Sequence, residues 1–267
     1  MMAQSDLMAG LLKHGFVIID LNQPAIISEI QHLVKKNLDL QKFSDRTLDF
    51  DTYAMTVKSA VDEIAKSELV KKLLETKKEL ITSLCGPDVD YQGYPHLRIS
   101  RPDAKTDTSG WHRDTFYGNS PYEVNWWFPV FDLPQGSGLR FLPGSHRMPA
   151  KNVRPAVVPE DVAQQRKVER GSVANQIGFL YAPQTEDLIV EMKPDEDTLL
   201  APKVGQAIVF FASTLHAGAT GTNTNSPRVS IDIRVRNCYA PTNTKPGFYV
   251  PLFRGLVSEC ANQFLGI

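Results

Sequence analysis

Apolar and polar positions divide the chain into a helical first third and a strand-rich remainder. Residues 5–14 place Leu7, Leu11 and Leu12 on one side of a short helix that Gly15 stops, and Phe16, Val17, Ile18 and Ile19 follow as a buried strand. Pro24 suits the first turn of a second helix, where its missing N–H costs nothing, and Ile26, Ile27, Ile30, Leu33 and Val34 recur along one face. Such a stripe packs against a sheet. Between 39 and 56 the pattern dissolves into polar and charged residues, with Phe43 and Phe50 as isolated anchors, and a surface loop is expected. Helical spacing resumes over 57–84 through Val61, Ile64, Val70, Leu73, Leu74, Leu80, Ile81 and Leu84, until Gly86 and Pro87 end it.

Beyond Gly86 the period of the pattern drops from about 3.6 to 2 residues. Strands are expected at 96–100, 124–131, 139–142, 188–192, 206–211 and 228–236, with a turn at Pro143-Gly144-Ser145. Short strands without helices between them predict an antiparallel barrel or two-sheet jelly roll. The expected fold class is therefore mainly β with flanking α, a cupin-like double-stranded β-helix buttressed by the N-terminal helices. Residues 147–187 are charged and poorly periodic, which reads as a lid or binding insert. One domain is expected over 1–267: a helical buttress at 1–88, a jelly-roll core at 89–237 and an extension at 238–267.

Composition narrows the partners. Across 267 residues, 29 Lys and Arg balance 30 Asp and Glu, so the net charge of -1 creates no field to draw in nucleic acid or an anionic membrane. Cys85, Cys238 and Cys260 lack C-x-x-C spacing, which argues against a disulfide framework or zinc knuckle and for a cytoplasmic setting. Lys13, His14 and Asp20 interrupt an early apolar run that is too broken for a signal peptide and too short to span a bilayer. A soluble protein acting on a small molecule is expected, with no carrier protein evident and the oligomeric state open.

Candidate chemistry lies in Gly110-Trp111-His112-Arg113-Asp114-Thr115. In an extended backbone His112 and Asp114 project to one side and Arg113 to the other. A mononuclear iron(II) site asks for such a pair plus one more histidine, leaving positions open for substrate and oxygen, and His216 is the candidate. Alone, each of these residues reads equally as an ordinary polar side chain.

The segment Arg228-Val229-Ser230-Ile231-Asp232-Ile233-Arg234-Val235-Arg236 changes the weighing, because its odd positions are all apolar and its even positions all polar. Either the even face meets solvent on a half-buried strand, or it lines the cavity of a jelly roll. In the second case the Arg228 guanidinium can bind a distal carboxylate through two bonds, with the Ser230 hydroxyl adding another. Over 124–131, Val124, Trp126, Phe128 and Val130 form one apolar face. Asn125 and Trp127 then look either into the core or into the pocket, where an amide can bond a co-substrate and an indole can wall it. Arg98, Arg140 and Arg234 are further cavity candidates, each equally readable as a solvated arginine. His96 shares a face with Arg98.

With these residues in view, the chain resembles the phytanoyl-CoA dioxygenase family of iron(II)- and 2-oxoglutarate-dependent oxygenases. The resemblance rests on His112-Arg113-Asp114, Gly138-Leu139-Arg140-Phe141-Leu142-Pro143-Gly144-Ser145-His146, His216 and Arg228-Val229-Ser230. It implies that His112, Asp114 and His216 ligate Fe(2+), and that Arg228, helped by Ser230, anchors the 5-carboxylate of 2-oxoglutarate. Asn125, Trp127 and Arg98 are candidate co-substrate contacts, and His146 is expected to be architectural. It also implies hydroxylation by O2 with release of succinate and carbon dioxide, desaturation or cyclisation being variants. Halogenating relatives lack the carboxylate ligand, so Asp114 argues against halogenation. Two other readings stay open: a cupin-like metalloenzyme that does not use 2-oxoglutarate, and a catalytically silent binding module on the same fold.

Overall fold

Gly15 ends the first helix, α1 (Gln4–His14), at φ +89°, a left-handed turn open to glycine, and delivers the chain directly into β1 (Phe16–Asp20). A side chain is excluded there on a second count, since a Cβ would lie 2.6 Å from His146 Nδ1 and 2.7 Å from Thr214 Oγ1. The computed structural model describes residues 4–44, 50–101, 107–117, 119–148, 196–221, 226–242, 244 and 246–266.

Pro24 opens α2 (Pro24–Asn37), which buries Ile27, Ile30 and Val34 as its stripe predicts. The loop expected over 39–56 is corrected. Its described residues form α3 (Leu40–Ser44), which plants Phe43 in the core, and the start of α4 (Phe50–Lys66). Apolar spacing missed only the start of α4, whose later turns bury Ala60, Val61 and Ile64 within the helical run read from residue 57. The run to residue 84 is also three helices, α4, α5 (Leu69–Glu75) and α6 (Lys78–Cys85), broken at Glu68 (φ 54°) and around Thr76-Lys77. The period survives the breaks because all three helices feed one core.

The strands are β2 (Val89–Gln92), β3 (His96–Ser100), β4 (Glu123–Pro129), β5 (Gly138–Phe141), β6 (Thr198–Leu200), β7 (Gln206–Phe211), β8 (His216–Ala219), β9 (Arg228–Asn237) and β10 (Tyr249–Phe253). A C-terminal helix, α7 (Leu256–Leu265), lies in the extension. The strand expected at 188–192, and the insert apart from 147–148, fall outside the described residues. The larger sheet runs β1-β7-β4-β9-β2-β10 with β3 also paired to β9, and the smaller runs β6-β5-β8. All pairings are antiparallel, giving the two-sheet jelly roll.

The site is organised by β9, whose length lets it pair with β4 along one edge and with both β3 and β2 along the other. Its odd positions Val229, Ile231, Ile233 and Val235 are buried in the helix-covered core. Its even positions Arg228, Ser230, Asp232, Arg234 and Arg236 are buried too, on the inner face. Solvated polar side chains are thereby excluded on both faces of this strand.

Candidate metal centre

Backbone pairing assembles the centre. His112 and His216 form an isolated antiparallel bridge, and His216 is also registered against Phe141 on β5, so His112 extends the smaller sheet. His216 stacks on Phe141 and meets Phe210 edge-on. Asp114 starts a 3-10 turn, Asp114–Tyr117, which brings its carboxylate back toward both rings.

The ligand atoms of His112, Asp114 and His216 all lie within 4.8 Å of one another, and all three residues are buried. Asp114 Oδ1 is 3.5 Å from His112 Nε2 and 3.8 Å from His216 Nε2. Each ring is oriented from behind: His112 Nδ1 is 2.7 Å from Gly110 O and His216 Nδ1 is 3.0 Å from Thr214 O. A carbonyl only accepts, so both Nδ1 atoms carry the proton and both Nε2 lone pairs face Asp114. Two imidazoles and one carboxylate with open positions is the donor set of a mononuclear iron(II) site.

Arg113 turns the other way, as alternation predicts, and donates to Ser145 O at 2.7 Å and Met148 O at 3.0 Å. Ser145 Oγ in turn accepts the Leu215 N–H at 2.8 Å, and Leu142 N donates to Leu215 O. The Pro143-Gly144-Ser145-His146 segment is thus a clasp between the two ligand-bearing strands. His146, with Nε2 3.2 Å from Leu12 O, belongs to the seam with α1.

Burial alone would raise the Asp114 carboxyl, but Arg234 and the two histidines hold it well below the usual carboxylate range. Burial, reinforced by His112, lowers His216 to about 4. Both groups are in their metal-binding protonation states at neutral pH.

A cleft of about 390 Å³, open to solvent, adjoins the centre and is lined by His112, His216, Arg98, Trp127, Arg228 and Asp232 among others. Arg228 NH1 donates to Gly138 O (2.7 Å) and Ala219 O (3.0 Å), and NH2 donates to Ser100 Oγ (2.8 Å). Its Nε is buried without a partner, as are Ser230 Oγ and Trp127 Nε1. Three bonds from five N–H groups leave Nε–H and one NH2 hydrogen for a carboxylate. Buried, unmet hydrogen-bonding groups are rare in a folded chain, and two of those here belong to Arg228 and Trp127, which line the cleft.

Other candidates land differently. Asn125 directs its amide Nδ2 to Asp114 Oδ2 at 2.7 Å, so its contact is with the carboxylate beside the histidines. Arg98 lines the cleft while bound to Asp232 (2.9 Å). Arg234 is buried behind Asp114, a role that strand alternation flagged only as cavity-facing. Arg140 is exposed, paired with Asp197 and over Trp111, and stays a solvated strand arginine. Sequence reading put Asp232 on the cavity-facing side of its strand and Ser100 on the face of Arg98 but gave neither a role; Asp232 binds Arg98 and Ser100 accepts from Arg228.

Fold and centre together define a non-haem iron oxygenase of the jelly-roll class. Residues 13–230 match the Phytanoyl-CoA dioxygenase (PhyH) family, and the chain belongs to it. Ferrous iron, 2-oxoglutarate and O2 are the cofactors of that membership, and the His-Asp-His set is arranged to hold the iron. No curated protein matches the sequence. Among solved structures, the non-heme monooxygenase ThoJ in its apo form aligns with TM-score 0.58 at 15% identity, covering 94% of this chain and 84% of that one. The epimerase SnoN, in complex with Fe3+, alpha ketoglutarate and nogalamycin RO, aligns with TM-score 0.52 at 15% identity over 91% and 90%. EvdO2 from Micromonospora carbonacea var. aurantiaca, complexed with 2-oxoglutarate, aligns with TM-score 0.54 at 14% identity over 92% and 96%. At these identities the likeness is one of fold. No helix among the described residues is long and apolar enough to cross a membrane.

Proposed function

We propose that this chain, working as a single catalytic unit, hydroxylates a free, small, polar metabolite in the cytoplasm. The observation that carries the reading is the convergence of His112, Asp114 and His216 beside a cleft lined by Arg228, whose Nε lacks a partner, as does Ser230 Oγ on the same face of β9. Bound iron, with 2-oxoglutarate and O2, supplies oxidative decarboxylation to succinate and carbon dioxide coupled to oxidation of a C–H bond. The protein contributes placement and exclusion of water.

Arg228 would hold the 5-carboxylate of 2-oxoglutarate through Nε and NH2, Ser230 Oγ would add a bond from the same strand face, and Trp127 would close the side. Its indole already lies under the Arg228 guanidinium, 5.8 Å from ring centroid to Cζ. Asp107, Thr108 and Ser109 form the outer wall with Arg98 and Asp232, a polar rim suited to hydroxyl- or charge-bearing substrates. Cysteines that are all free among the described residues fit a reducing compartment.

An assay of 2-oxoglutarate conversion across a panel of amino acids, sugars and specialised metabolites tests the reading. Succinate should form only with Fe(II) and 2-oxoglutarate present and rise with a polar metabolite whose product gains one oxygen. Product analysis matters, because an epimerase and a monooxygenase share the fold. Iron-dependent turnover without 2-oxoglutarate supports the cupin-like alternative, and turnover confined to carrier-tethered acyl chains refutes the free-metabolite substrate.

A further inference from the structure

Asp114 is the one carboxylate of the centre, and its two oxygens live in different worlds. Oδ1 faces His112 Nε2 and His216 Nε2. Oδ2 accepts from Asn125 Nδ2 at 2.7 Å and from Arg234 NH2 at 2.8 Å. Those two bonds fill the in-plane lone pairs of Oδ2. Resting on the oxygenase reading of the site, we infer that Arg234 and Asn125 are positioning residues that restrict Asp114 to binding metal through Oδ1 alone.

The restriction is built into the larger sheet. Asn125 and Arg234 are direct partners across the β4/β9 ladder, so their side chains leave the sheet together on its inner face. Arg234 is itself fixed, with NH1 donating to Gln92 Oε1 at 3.1 Å and lying 3.2 Å from His96 Nδ1, and NH2 3.5 Å from Asp232 Oδ2. Asn125 is fully buried and Arg234 nearly so, which leaves water little chance to replace either bond. A carboxylate free to rotate can chelate through both oxygens and consume a second position on the ion. With Oδ2 held, two histidines and one carboxylate oxygen would hold the ion and leave its remaining positions for a two-point chelator and O2.

The test compares wild type, Arg234→Met, Arg234→Lys and Asn125→Ala. Each metal-free protein is titrated anaerobically with Co(II), whose visible d–d absorption reports coordination number, and then with Fe(II). Metal affinity should fall about tenfold or more in Arg234→Met and Asn125→Ala, the range typical for groups that orient a ligand. The Co(II) spectrum should change as Asp114 takes a second position, and Arg234→Lys should recover part of the wild-type spectrum. A purely structural role would lower thermal stability and leave the spectrum of the folded fraction unchanged. Should Arg234→Met not fold, Asn125→Ala carries the same comparison without unpairing a buried charge. Wild-type affinity and spectrum in the folded variants would overturn the inference. Adding 2-oxoglutarate to the wild-type Fe(II) form separates the two claims: metal uptake without a visible charge-transfer band defeats the oxygenase reading, while the Co(II) comparison still decides the role of Arg234 and Asn125.

Discussion

His112 and His216 exchange both of their backbone hydrogen bonds, N to O at 2.9 Å in each direction, and their rings stand with centroids 4.3 Å apart. The main chain therefore places the two imidazoles side by side, whatever the side chains contribute. Their mutual position is a property of strand pairing, so a metal ion would meet two imidazoles already side by side.

Removing different ligands should then have unequal effects on the fold. His216→Ala trims a ring from a preformed bridge and is expected to cost about 1–3 kcal/mol, in the usual range for a buried truncation. Asp114→Ala strands the buried Arg234 guanidinium and is expected to cost about 3 kcal/mol or more, tempered by Asp232 nearby. Both should lose metal and all 2-oxoglutarate turnover. Metal analysis with denaturant unfolding of the metal-free proteins checks this, and equal stability losses would contradict it.

Stability of the metal-free protein should decline in mild acid. Burial, with Arg234 and Arg98 beside it, lowers His96 to about 3, and burial with His112 lowers His216 to about 4. Both lie below the unfolded value near 6.5, so folding favours the neutral rings. Neither carries a penalty above about pH 6.5, and each then costs about 1.4 kcal/mol per pH unit as pH falls toward its folded value. Urea unfolding between pH 8 and pH 4 reads the slope, which His96→Gln should make shallower below about pH 6. An unchanged slope would show that His96 is already protonated in the fold.

Arg228→Met should weaken 2-oxoglutarate binding by about 30-fold or more while sparing the metal, since it deletes a charge-assisted two-point contact worth roughly 2–3 kcal/mol. Ser230→Ala, which removes one neutral bond, should cost about fivefold. Calorimetric titration of 2-oxoglutarate into the Ni(II)-loaded proteins, where no turnover occurs, gives both numbers. Equal binding across all three proteins would remove Arg228 from the co-substrate site.

Gly15→Ala tests the seam behind His216. It imposes a methyl group on a backbone with φ +89° and pushes against His146 and Thr214, whose Oγ1 donates to Gly15 O at 3.0 Å. A loss of about 2 kcal/mol is expected from left-handed strain plus the contact. Thermal melting checks this, and metal affinity should weaken as well, because Thr214 O orients His216.

Periodicity was enough to find α1, β1, α2 and β9, where apolar residues recur at regular spacing. It failed over 39–56 because α3 is only five residues long and is anchored mainly by Phe43, too few apolar positions for a helical period to register. The short strands β6 and β8 carry too few residues for alternation to register, and β10 includes Pro251, which reads against a strand; all three depend on partners elsewhere. The candidate site residues were legible only in combination, as an H-x-D spacing, a later histidine and an Arg-x-Ser on an alternating strand in the order of a known family; singly, each reads as an ordinary polar side chain.

What the sequence determined by itself was therefore the list of reacting groups and the side of each strand on which they stand, since alternation is a property of the extended backbone alone. Tertiary structure decided which of them meet. Arg98 went to Asp232, Arg234 and Asn125 went to Asp114, Arg140 went to Asp197 at the surface, and Arg228 lines the cleft with its Nε unpartnered. These arginines share inward- or outward-facing strand positions that look alike in the chain. Their fates differ because hydrogen-bond partners are chosen by cross-strand register and by the packing of one sheet over the other, which no local pattern encodes.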